Sequence, residues 1–455
     1  MDLSVKDSFD VVIIGAGTAG CLAAYSAAKE GLGKIALVDR KTKEQIGNKI
    51  CGDGIGTKHL KFLEELGYPI NENEVIRNLA QMAHLISPDK ETNFSIPIQG
   101  QLAIIDRHKF GQVLLNETLN EKITLFEKST FSSLERNGKN IDVKFSTSSG
   151  TPHIFTTPLV IDGSGFNSKI REGSGLFDEY AKVKDDEQYY CYREICEINS
   201  MIPKQYEDSV IFEFSYDNTR GGYQWFFHRG SNVFNMGVGI PKTWMKELSP
   251  KEIYQQNMIN RFDSSTALDT GGGFVPTRHP IPTHVKDNIL LIGDAGAIVN
   301  PLHGGGLGSS LASGYIAGKI AAKLIPEESL TEEDLWVYNQ KILERYCYRY
   351  SILDLYRILL QNIPDKELNH ALSEGYLPLG KLFYAREYED LMKLSRKLGK
   401  IWEQLPNHRF SLLPNYIERV FEATKNYPTT PEGLTDWQKS YSDIYSEFQS
   451  KIKIQ

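Results

Sequence analysis

The chain has 455 residues, 40% of them hydrophobic and 24% charged, a composition typical of a globular protein with two or three domains. A formal net charge of −7 and the absence of a dense lysine and arginine block argue against nucleic acid as the main partner. Five cysteines with neither a disulfide nor a metal-ligand spacing predict a reduced intracellular protein without a metal site.

The first predicted elements form a dinucleotide-binding fingerprint, FDVVIIGAGTAG, over residues 9–20. A buried-type strand leads into an alanine-rich helix through three glycines, Gly15, Gly17 and Gly20. Glycines at this spacing allow a tight turn, a close approach of a pyrophosphate to the backbone, and close packing of the helix. A second strand ends at Asp39, 19 residues after Gly20, where a carboxylate can bind a ribose. The pattern does not separate NAD from FAD, and an ordinary glycine turn in a βαβ unit is its alternative.

A glycine-rich loop and a series of strands follow. The segment KICGDGIG, residues 49–56, combines one cysteine with several glycines and predicts a backbone that packs closely against another surface. The pattern of the next residues predicts a helix over 58–67, strands over 83–87 and 94–98, a strand end and helix over 104–115, and short alternating strands over 123–161 with a turn at 137–139.

A second, largely antiparallel sheet is predicted between residues 187 and 239. In its most aromatic strand, Tyr223, Trp225 and Phe227 alternate, so they share one face and could wall a slot for an apolar chain. An ordinary half-buried strand gives the same alternation. The glycines at 271–273 then predict a return to the first domain. Apolar residues at helical spacing predict a helical C-terminal domain, with helices within 332–363 and 391–405.

A second glycine-rich motif favours FAD over NAD. The strand 288–292 ends at Gly293 and Asp294, where a carboxylate can accept hydrogen bonds from the ribityl chain that a flavin has and NAD lacks. Asn300 and Pro301 then introduce HGGGLG, residues 303–308, at the start of a helix of small residues. The unsatisfied N–H groups and the positive dipole end of that helix would stabilise an anionic reduced flavin.

Together these motifs resemble the flavoproteins of the p-hydroxybenzoate hydroxylase fold, which share GxGxxG, a central Asp-Gly pair and a Gly-Asp pair. The central pair is Asp162 and Gly163 in this chain. The resemblance implies that Arg107 reaches the diphosphate end of the cofactor. The residues that it implies as FAD ligands are Gly15, Gly17, Thr18, Ala19, Gly20, Asp39, Arg40, Cys51, Gly52, Asp53, Arg107, Asp162, Gly163, Gly293, Asp294, Pro301, Gly304, Gly305, Gly306, Leu307 and Gly308.

Within that superfamily, three motifs resemble the geranylgeranyl reductase family, especially its archaeal lipid branch. They are KxCGxx at residues 49–54, YxWxF at 223–227 and NPxHGGGxG at 300–308, and NYPTTPEGLTDW at 426–437 extends the match. His228 departs from the family motif, which has a proline at that position, and this puts the local turn in question.

The resemblance implies an α/β fold with three parts. They are a Rossmann-like FAD-binding domain over residues 1–66, 100–170 and 274–330, a mainly antiparallel β-sheet substrate domain over 67–99 and 171–273, and a helical domain over 331–455.

The implied function is FAD-dependent saturation of the double bonds of geranylgeranyl lipids or geranylgeranyl diphosphate, by a hydride from reduced flavin plus a proton. The resemblance places Cys51 beside the flavin, although a buried structural thiol is the commonest fate of a single cysteine. The implied catalytic residues are Cys51, Tyr223, Trp225, His303 and Gly305. The remaining cysteines, Cys21, Cys191, Cys196 and Cys347, are interpreted as packing residues. We consider two roles for Arg220, Arg229 and Arg278: each could be a ligand of a phosphate head group or an ordinary surface charge.

Two other functions are compatible with the same sequence: a flavin-dependent monooxygenase or halogenase, and a non-catalytic prenyl-lipid-binding protein. No second nicotinamide fingerprint identifies the electron donor, so NAD(P)H, a ferredoxin or another external donor is compatible. No apolar run approaches the roughly 18 residues of a membrane-spanning helix, and residues 1–9 lack the apolar centre of a signal peptide. We therefore expect a cytoplasmic protein that can contact a membrane peripherally.

Overall fold

The computed structural model describes residues 5–70, 75–148, 150–327, 330–377, 379–384, 388–402 and 409–453. Its strands are β1 (Val5–Ser8), β2 (Val11–Ile14), β3 (Ile35–Val38), β4 (Gly54–Gly56), β5 (Ile76–Ile86), β6 (Asn93–Ile105), β7 (Ile123–Phe126), β8 (Ser129–Asn137), β9 (Asn140–Thr147), β10 (His153–Thr157), β11 (Val160–Asp162), β12 (Gln188–Ile198), β13 (Ser209–Glu213), β14 (Tyr223–His228), β15 (Val233–Pro241), β16 (Ser265–Pro276), β17 (Val285–Lys286) and β18 (Ile289–Leu291). Its α-helices are α1 (Thr18–Lys29), α2 (Thr57–Glu65), α3 (Arg107–Thr118), α4 (Lys169–Gly173), α5 (Tyr216–Thr219), α6 (Pro250–Asn257), α7 (Leu307–Leu324), α8 (Glu332–Ile342), α9 (Tyr348–Leu360), α10 (Asp365–Ser373), α11 (Leu379–Tyr384), α12 (Tyr388–Trp402), α13 (Leu413–Lys425) and α14 (Leu434–Ile452). A π-helical segment, Leu343–Cys347, joins α8 to α9.

A six-stranded sheet in the order β17-β18-β11-β2-β3-β7 forms the centre of the first half. Its strands are parallel apart from the β17–β18 pair. Val11 and Ile13 of β2 belong to the core that contains α1 and α7. Val12 and Ile14 point to the opposite face, into the core shared with the four-stranded sheet β1-β10-β9-β8. Both faces of the sheet are buried, which explains the uninterrupted apolar strand before the glycine loop.

An eight-stranded mixed sheet, in the order β16-β12-β15-β14-β13-β5-β6-β4, forms the second half. Phe226 and Met236 face a core that includes residues of α6. The alternation of β14 turns Trp225 and Phe227 to the other face, where both belong to the larger core of the chain. Residues 54–56 and 100–105, which the sequence predicts to belong to the FAD-binding domain, form strands of this sheet. The domain boundaries remain a prediction.

Two predicted elements of this sheet differ from the structure. The strands predicted over 83–87 and 94–98 lie largely within the longer strands β5 and β6. In β5 the predicted part is the buried run, whereas in β6 it alternates with exposed residues and the buried run is at 103–105. The glycines at 271–273 lie inside the edge strand β16 and pair with β12, so they do not open a return to the first half. Side chains occupy the space beside these glycines: a Cβ on Gly271 would lie 2.4 Å from Ile50, and one on Gly272 2.1 Å from the Tyr190 hydroxyl.

The C-terminal helices dock onto both halves through a buried ionic group. The Asp354 carboxylate accepts hydrogen bonds from the imidazole of His279, at 3.0 Å, and from Arg357, at 2.5 Å. Arg357 also donates to the carbonyl of Asp186, just before β12, at 3.0 Å. The His279 ring stacks on Tyr445 of α14 with 3.9 Å between the ring centroids. Leu405, the last residue of the helix predicted over 391–405, lies outside the described residues.

No helix in the described part of the chain combines the length and the apolar composition needed to cross a membrane. Among the same residues, no group of three or more His, Cys, Asp or Glu side chains is arranged to hold a metal ion.

Candidate active site

A cavity of about 1660 Å³ lies between the parallel sheet, the aromatic face of the eight-stranded sheet, and helices α2, α7 and α9. All the residues predicted to bind FAD border this cavity except Gly20 and Gly293, which pack behind it. The five residues predicted to be catalytic border it as well. The fold therefore brings motifs that are far apart in sequence to one chamber.

Of the three glycines of the fingerprint, Gly15 and Gly20 have no space for a side chain, whereas Gly17 has. A Cβ on Gly20 would lie 1.8 Å from the carbonyl oxygen of Gly15, and one on Gly15 2.4 Å from the carbonyl oxygen of Gly163. A Cβ on Gly17 would meet nothing within 4 Å, and Gly17 borders the cavity. The start of α1 can thus be approached closely from the cavity, as binding of a pyrophosphate requires.

Asp39 braces this loop from the end of β3. Its Oδ2 accepts the N–H of Ala16 at 2.8 Å and its Oδ1 accepts the N–H of Lys41 at 2.9 Å. Each carboxylate oxygen can accept more than one hydrogen bond, so a ribose hydroxyl is compatible with both contacts. Asp39 and Arg40 form this end of the cavity.

Arg107 brings unpaired donors to the cavity wall. The residue is 7% exposed, and its Nη2 donates to the hydroxyl of Thr18 at 2.8 Å. Its Nε and Nη1 are buried without a hydrogen-bond partner. An unsatisfied buried guanidinium is costly, so these N–H groups fit an anionic ligand such as the diphosphate of FAD.

Asp162 and Gly163 support the loop from below. The fully buried Asp162 accepts hydrogen bonds from the Ser164 N–H at 2.9 Å and from the Ser168 hydroxyl at 2.5 Å. Burial raises the pKa of Asp162, and these two serines act against that rise. The Gly163 N–H donates to the carbonyl of Ile14 at 2.8 Å, which ties β11 to the fingerprint turn.

Helix α7 brings a second helix N-terminus to the same cavity. The Gly304 N–H donates to the Asn300 carbonyl at 2.9 Å, and the Asn300 N–H donates back to the Gly305 carbonyl at 3.1 Å. Gly304 has a φ of +66°, which a side chain would disfavour. The loop delivers the chain to Gly306, the last residue before α7, whose first N–H groups have no acceptor within the helix.

Asp294 lies at the start of α7. A Cβ on Gly306 would be 3.1 Å from Asp294 Oδ1, and Lys49 Nζ donates to Asp294 Oδ2 at 2.6 Å. This ion pair joins the KICGDGIG loop to the Gly-Asp motif. Gly293, with a φ of +55°, has no room for a Cβ because Ala19 and Ser310 would each lie 3.0 Å away.

The aromatic residues of β14 form one wall, as their alternation predicts. Ring centroids are 6.1 Å apart between Tyr223 and Trp225, and 6.4 Å apart between Trp225 and Phe227. Space for the indole is provided by Gly237, since a Cβ there would lie 2.3 Å from the ring. The Tyr223 hydroxyl donates to the carbonyl of His303 at 2.7 Å, so this wall is tied to the loop before α7.

Asn235 on β15 joins the aromatic wall to the cysteine loop, and sequence reasoning missed it. Its side chain is fully buried; Oδ1 accepts the Trp225 indole N–H at 2.9 Å. Its Nδ2 donates to the Cys51 carbonyl at 2.9 Å and to Asp53 Oδ2 at 2.8 Å. A polar amide in the apolar strand VFNMGVGI was the signal that could have identified it.

Asp53 presents a further unsatisfied polar atom. Its Oδ2 also accepts from Arg229 at 2.7 Å, whereas its buried Oδ1 has no hydrogen-bond partner. Burial raises the pKa of this carboxyl to about 6, although Arg229 and Arg193 both favour the charged form. Asp53 also has a φ of +65°, so this loop is held in a strained conformation.

Cys51 carries a neutral thiol. Burial, and then the carboxylate of Asp53, raise its pKa, so the thiol keeps its proton at neutral pH. Cys191 borders the cavity too, and burial followed by the nearby Cys51 raises its pKa to about 12. The sequence interpretation of Cys191 as a packing residue thus overlooks its place in the wall. The other three cysteines, Cys21, Cys196 and Cys347, are buried.

His303 is neutral in this site. Burial, and then the positive charge of Arg349, lower its pKa to about 4. Its Nδ1 accepts the Gly305 N–H at 3.1 Å, so the imidazole supports the backbone of the glycine loop.

The three arginines considered for a phosphate do not border the cavity. Arg229 pairs with Asp53, and Arg278 pairs with Glu187 at 3.1 Å, with both of those side chains 3% exposed. Arg220 lies over the rings of Tyr216 and Trp244, at 4.8 and 4.9 Å from their centroids. Each of these cations already has structural partners, which favours a structural role over that of a phosphate ligand.

His228 stabilises the turn at the end of β14, where the family motif has a proline. Its Nδ1 accepts the N–H of Asp208 at 2.9 Å, and its Nε2 donates to the carbonyl of Ser231 at 2.7 Å. The hydrogen bonds of this imidazole hold the end of β14 in the absence of the proline.

Comparison with known proteins agrees with this geometry. The model of the FAD dependent oxidoreductases matches residues 10–168, and that of the geranylgeranyl reductase catalytic domain matches residues 188–275. The digeranylgeranylglycerophospholipid reductase of Sulfolobus acidocaldarius is 28% identical over 98% of this chain and 99% of its own. The enzyme of that name from Methanocaldococcus jannaschii is 30% identical over 82% of this chain and 91% of its own.

Solved structures confirm the predicted fold class. A geranylgeranyl bacteriochlorophyll reductase-like protein from Thermoplasma acidophilum superposes with a TM-score of 0.76 at 19% identity, covering 88% of this chain and 100% of that one. A flavin-dependent brominase superposes with a TM-score of 0.63 at 14% identity, covering 98% of this chain and 100% of its own. With the matching oxidoreductase model, these findings also confirm FAD as the cofactor.

Two glycine substitutions separate cofactor binding from folding. In Gly17→Ala the new methyl group enters the space that a pyrophosphate must occupy, so we expect FAD affinity to fall about tenfold or more while the apoprotein keeps its unfolding temperature. In Gly20→Ala the methyl group would overlap the Gly15 carbonyl, so we expect a loss of about 1–3 kcal/mol in the free energy of unfolding. Fluorescence titration with FAD and urea unfolding measure the two effects. Wild-type FAD affinity in Gly17→Ala would contradict the assignment.

Asn235→Leu tests the network between the aromatic wall and the cysteine loop. The change leaves the Trp225 indole N–H and the Cys51 carbonyl without their partners, so we expect the free energy of unfolding to fall by about 2 kcal/mol or more. The matched control is Asn199→Leu, at an exposed asparagine beyond β12, expected to change stability by less than about 0.5 kcal/mol. Equal losses in the two variants, measured by urea unfolding, would show that the network has no such role.

Proposed function

Since the chain belongs to the geranylgeranyl reductase family of FAD-dependent oxidoreductases, we propose that it saturates the C=C bonds of geranylgeranyl chains in membrane ether-lipid precursors or geranylgeranyl diphosphate. One observation carries the proposal: the N-terminus of α7, the thiol of Cys51 and the aromatic wall of β14 all border one cavity. The cavity also holds unsatisfied donors suited to the diphosphate of FAD at Arg107.

The chemistry requires two hydrogens of different origin. An isolated alkene has no carbonyl to accept charge, so addition of a hydride to one carbon must be coupled to protonation of the other. Bound FAD in its reduced form supplies the hydride. The residues of this chain must hold the alkene in register, exclude water and provide a proton.

The aromatic wall is the proposed surface for the alkene. Trp225 is 5% and Phe227 7% exposed, so both present apolar rings to the cavity rather than to bulk water. The indole of Trp225 is held by its hydrogen bond to Asn235, and the neighbouring Tyr223 of the same face is held by its hydrogen bond to the His303 carbonyl. A wall fixed in this way favours one position of a flexible polyene chain.

Cys51 is the proposed source or relay of the proton at its Sγ. Its raised pKa keeps the thiol protonated at neutral pH, and its backbone is held by Asn235. His303 fits this role less well, because a pKa of about 4 leaves the imidazole neutral and its Nδ1 occupied by the Gly305 N–H.

In this proposal an external donor, NAD(P)H, a ferredoxin or another carrier, returns electrons to the flavin. We further propose that the protein is cytoplasmic and that it contacts the membrane surface peripherally to receive a lipid substrate.

The direct test is anaerobic incubation of the chemically reduced protein with a geranylgeranyl lipid, followed by mass spectrometry. The expected result is a gain of two hydrogens for each double bond saturated. Asp294→Ala, which removes the carboxylate at the start of α7 and should lose flavin, serves as the inactive control.

Other outcomes of this experiment favour other functions. Oxygen-dependent oxidation of an aromatic substrate, with the lipid unchanged, would favour a monooxygenase or halogenase on the same fold. A colourless protein that resists reconstitution with FAD yet retains the lipid would favour a prenyl-lipid-binding protein.

Cys51→Ala is expected to keep its flavin spectrum and to lose lipid reduction by roughly a hundredfold, the scale of a positioned proton donor. The matched control is Cys191→Ala, the other thiol in the wall, which should retain most of the activity. Single-turnover oxidation of the reduced flavin by the lipid measures both variants. A kinetically silent Cys51→Ala would remove Cys51 from the mechanism.

A further inference from the structure

The proposed chemistry leaves a negative charge on Cys51. When its thiol protonates an alkene carbon, the S–H bond breaks, a C–H bond forms and a thiolate remains. The next turnover needs that proton back, but a lipid in the cavity excludes the water that would supply it. We therefore looked for a proton-carrying group that contacts the cysteine loop from the side away from the cavity.

Asp53 is the carboxyl group at that position. Its side chain is 1% exposed, and its Oδ2 accepts hydrogen bonds from Arg229 at 2.7 Å and from Asn235 at 2.8 Å. Neither of these partners borders the cavity. Its Oδ1 is buried without a hydrogen-bond partner. One oxygen thus holds the carboxyl group in place, and the other is available to carry a proton.

Asp53 and Cys51 are coupled electrostatically and through a shared partner. Only Gly52 separates them in the chain. Burial, and then the carboxylate of Asp53, raise the pKa of the Cys51 thiol, whereas Arg107 and the backbone N–H of Asp53 act against that rise. Asn235 donates both to the Cys51 carbonyl, at 2.9 Å, and to the Asp53 carboxylate. A thiolate at Cys51 would stand near a second anion in a buried site, and such a pair takes up a proton readily.

The charges around Asp53 keep its carboxyl able to exchange protons near neutral pH. Among the described residues, three cations act on it from different elements. They are Arg229 just after β14, Arg193 of β12 and Arg107 of α3. All three favour the carboxylate, yet burial raises the pKa of Asp53 to about 6. Because the pKa of the Cys51 thiol is higher, transfer of a proton from this carboxyl to a thiolate is favourable.

A row of charged groups connects Asp53 with the protein surface. Arg229 Nη2 lies 3.9 Å from Asp106 Oδ2, which also pairs with Arg77 at 2.6 Å. The side chains of Asp106 and Arg77 are 20% and 36% exposed, and neither residue borders the cavity. Water can therefore reach this end of the row when a lipid fills the cavity.

We propose that Asp53 returns to Cys51 the proton that Cys51 gives to the alkene. The O–H bond of the Asp53 carboxyl breaks as the S–H bond re-forms, directly or through one water molecule. The carboxylate then takes a proton from water on the side of Asp106, and no electrons move in this step. The inference rests on the proposed function, because it assumes that Cys51 protonates the lipid. It adds how Cys51 is made ready for the next double bond, with Asp53 acting through Cys51 and not on the lipid.

Asp53→Asn removes the proton-carrying group with little change of shape, and asparagine tolerates the φ of +65° at this position. Single-turnover oxidation of the reduced flavin by a geranylgeranyl lipid uses the proton already on Cys51. Steady-state turnover with excess dithionite requires its return. We expect the ratio of the steady-state rate to the single-turnover rate to fall about tenfold or more in this variant. A merely structural role would lower both rates together and leave the ratio unchanged, which would overturn the proposal.

The matched control is Asp208→Asn. The side chain of Asp208 is 59% exposed, lies 3.5 Å from His228 and does not border the cavity. This variant should keep the wild-type ratio, and the same fall in both variants would overturn the proposal.

The pH dependence of the wild-type protein tests the proposal without a substitution. The proton on Asp53 is present below a pH of about 6 and is lost as the pH rises through that value. The ratio of steady-state to single-turnover rate should therefore decrease over that range, and in Asp53→Asn it should be low and independent of pH. A wild-type ratio that does not change with pH would overturn the proposal.

A third measurement needs no lipid. The pH dependence of alkylation of Cys51 by iodoacetamide, followed by mass spectrometry of the peptide that contains it, gives the pKa of the thiol in the oxidised holoenzyme. Asp53→Asn should lower the midpoint by about one pH unit, because it removes the neighbouring negative charge, and Asp208→Asn should leave the midpoint unchanged. The same midpoint in wild type and Asp53→Asn would show that the two groups are not coupled and would overturn the proposal.

The inference and the proposed function fail in different ways. Saturation of the lipid with the same rate ratio in wild type and Asp53→Asn would support the reductase and overturn the role of Asp53. A shifted thiol midpoint in a protein that saturates no lipid would support the coupling of Asp53 with Cys51 and contradict the reductase assignment.

Discussion

The packing of α1 directly against α7 is the constraint on which the site depends. A Cβ on Gly314 would lie 2.0 Å from the carbonyl oxygen of Ala19, and one on Gly318 2.2 Å from that of Ala23, so the two helix backbones touch. The Ser26 hydroxyl of α1 donates to the Tyr315 carbonyl of α7 at 3.0 Å and so fixes the position of one helix along the other. Two helix N-termini therefore open into one chamber, each with unsatisfied N–H groups and a positive dipole end. Such a chamber suits a cofactor that carries a diphosphate at one end and an electron-accepting ring at the other.

The three motifs of the site are joined to each other by polar contacts. The cysteine loop is joined to α7 by the Lys49–Asp294 ion pair and to the aromatic wall by Asn235. The aromatic wall is joined to the loop before α7 by Tyr223. Asn235 and Tyr223 each donate to a backbone carbonyl within the site, where an unsatisfied group is costly. The Lys49 side chain is 53% exposed, so its ion pair with Asp294 is partly open to solvent. A substitution in one motif is therefore expected to shift the positions of the other two.

Sequence reasoning identified the parts of the site that rest on local pattern. The glycine fingerprint, Asp39, Asp294 and the alternating face of β14 depend on residues only a few positions apart, and the structure places them at the cavity. It missed Asn235 and Gly237 because their surroundings are formed by strands and loops distant in sequence. The glycines at 271–273 misled it for the same reason: Ile50 and Tyr190, which occupy the space beside them, come from other parts of the chain.

The π-helical turn before α9 has an evolutionary consequence. A π-turn contains one residue more than the α-helical turn it interrupts. Loss of a single codon within Leu343–Cys347 would remove that extra residue and convert the turn to an α-helical one, so α8 and α9 would keep their relative orientation. A change of one residue in the length of this segment would thus alter the side chains that it presents to the cavity, Tyr346 among them, while the helices on either side keep their faces.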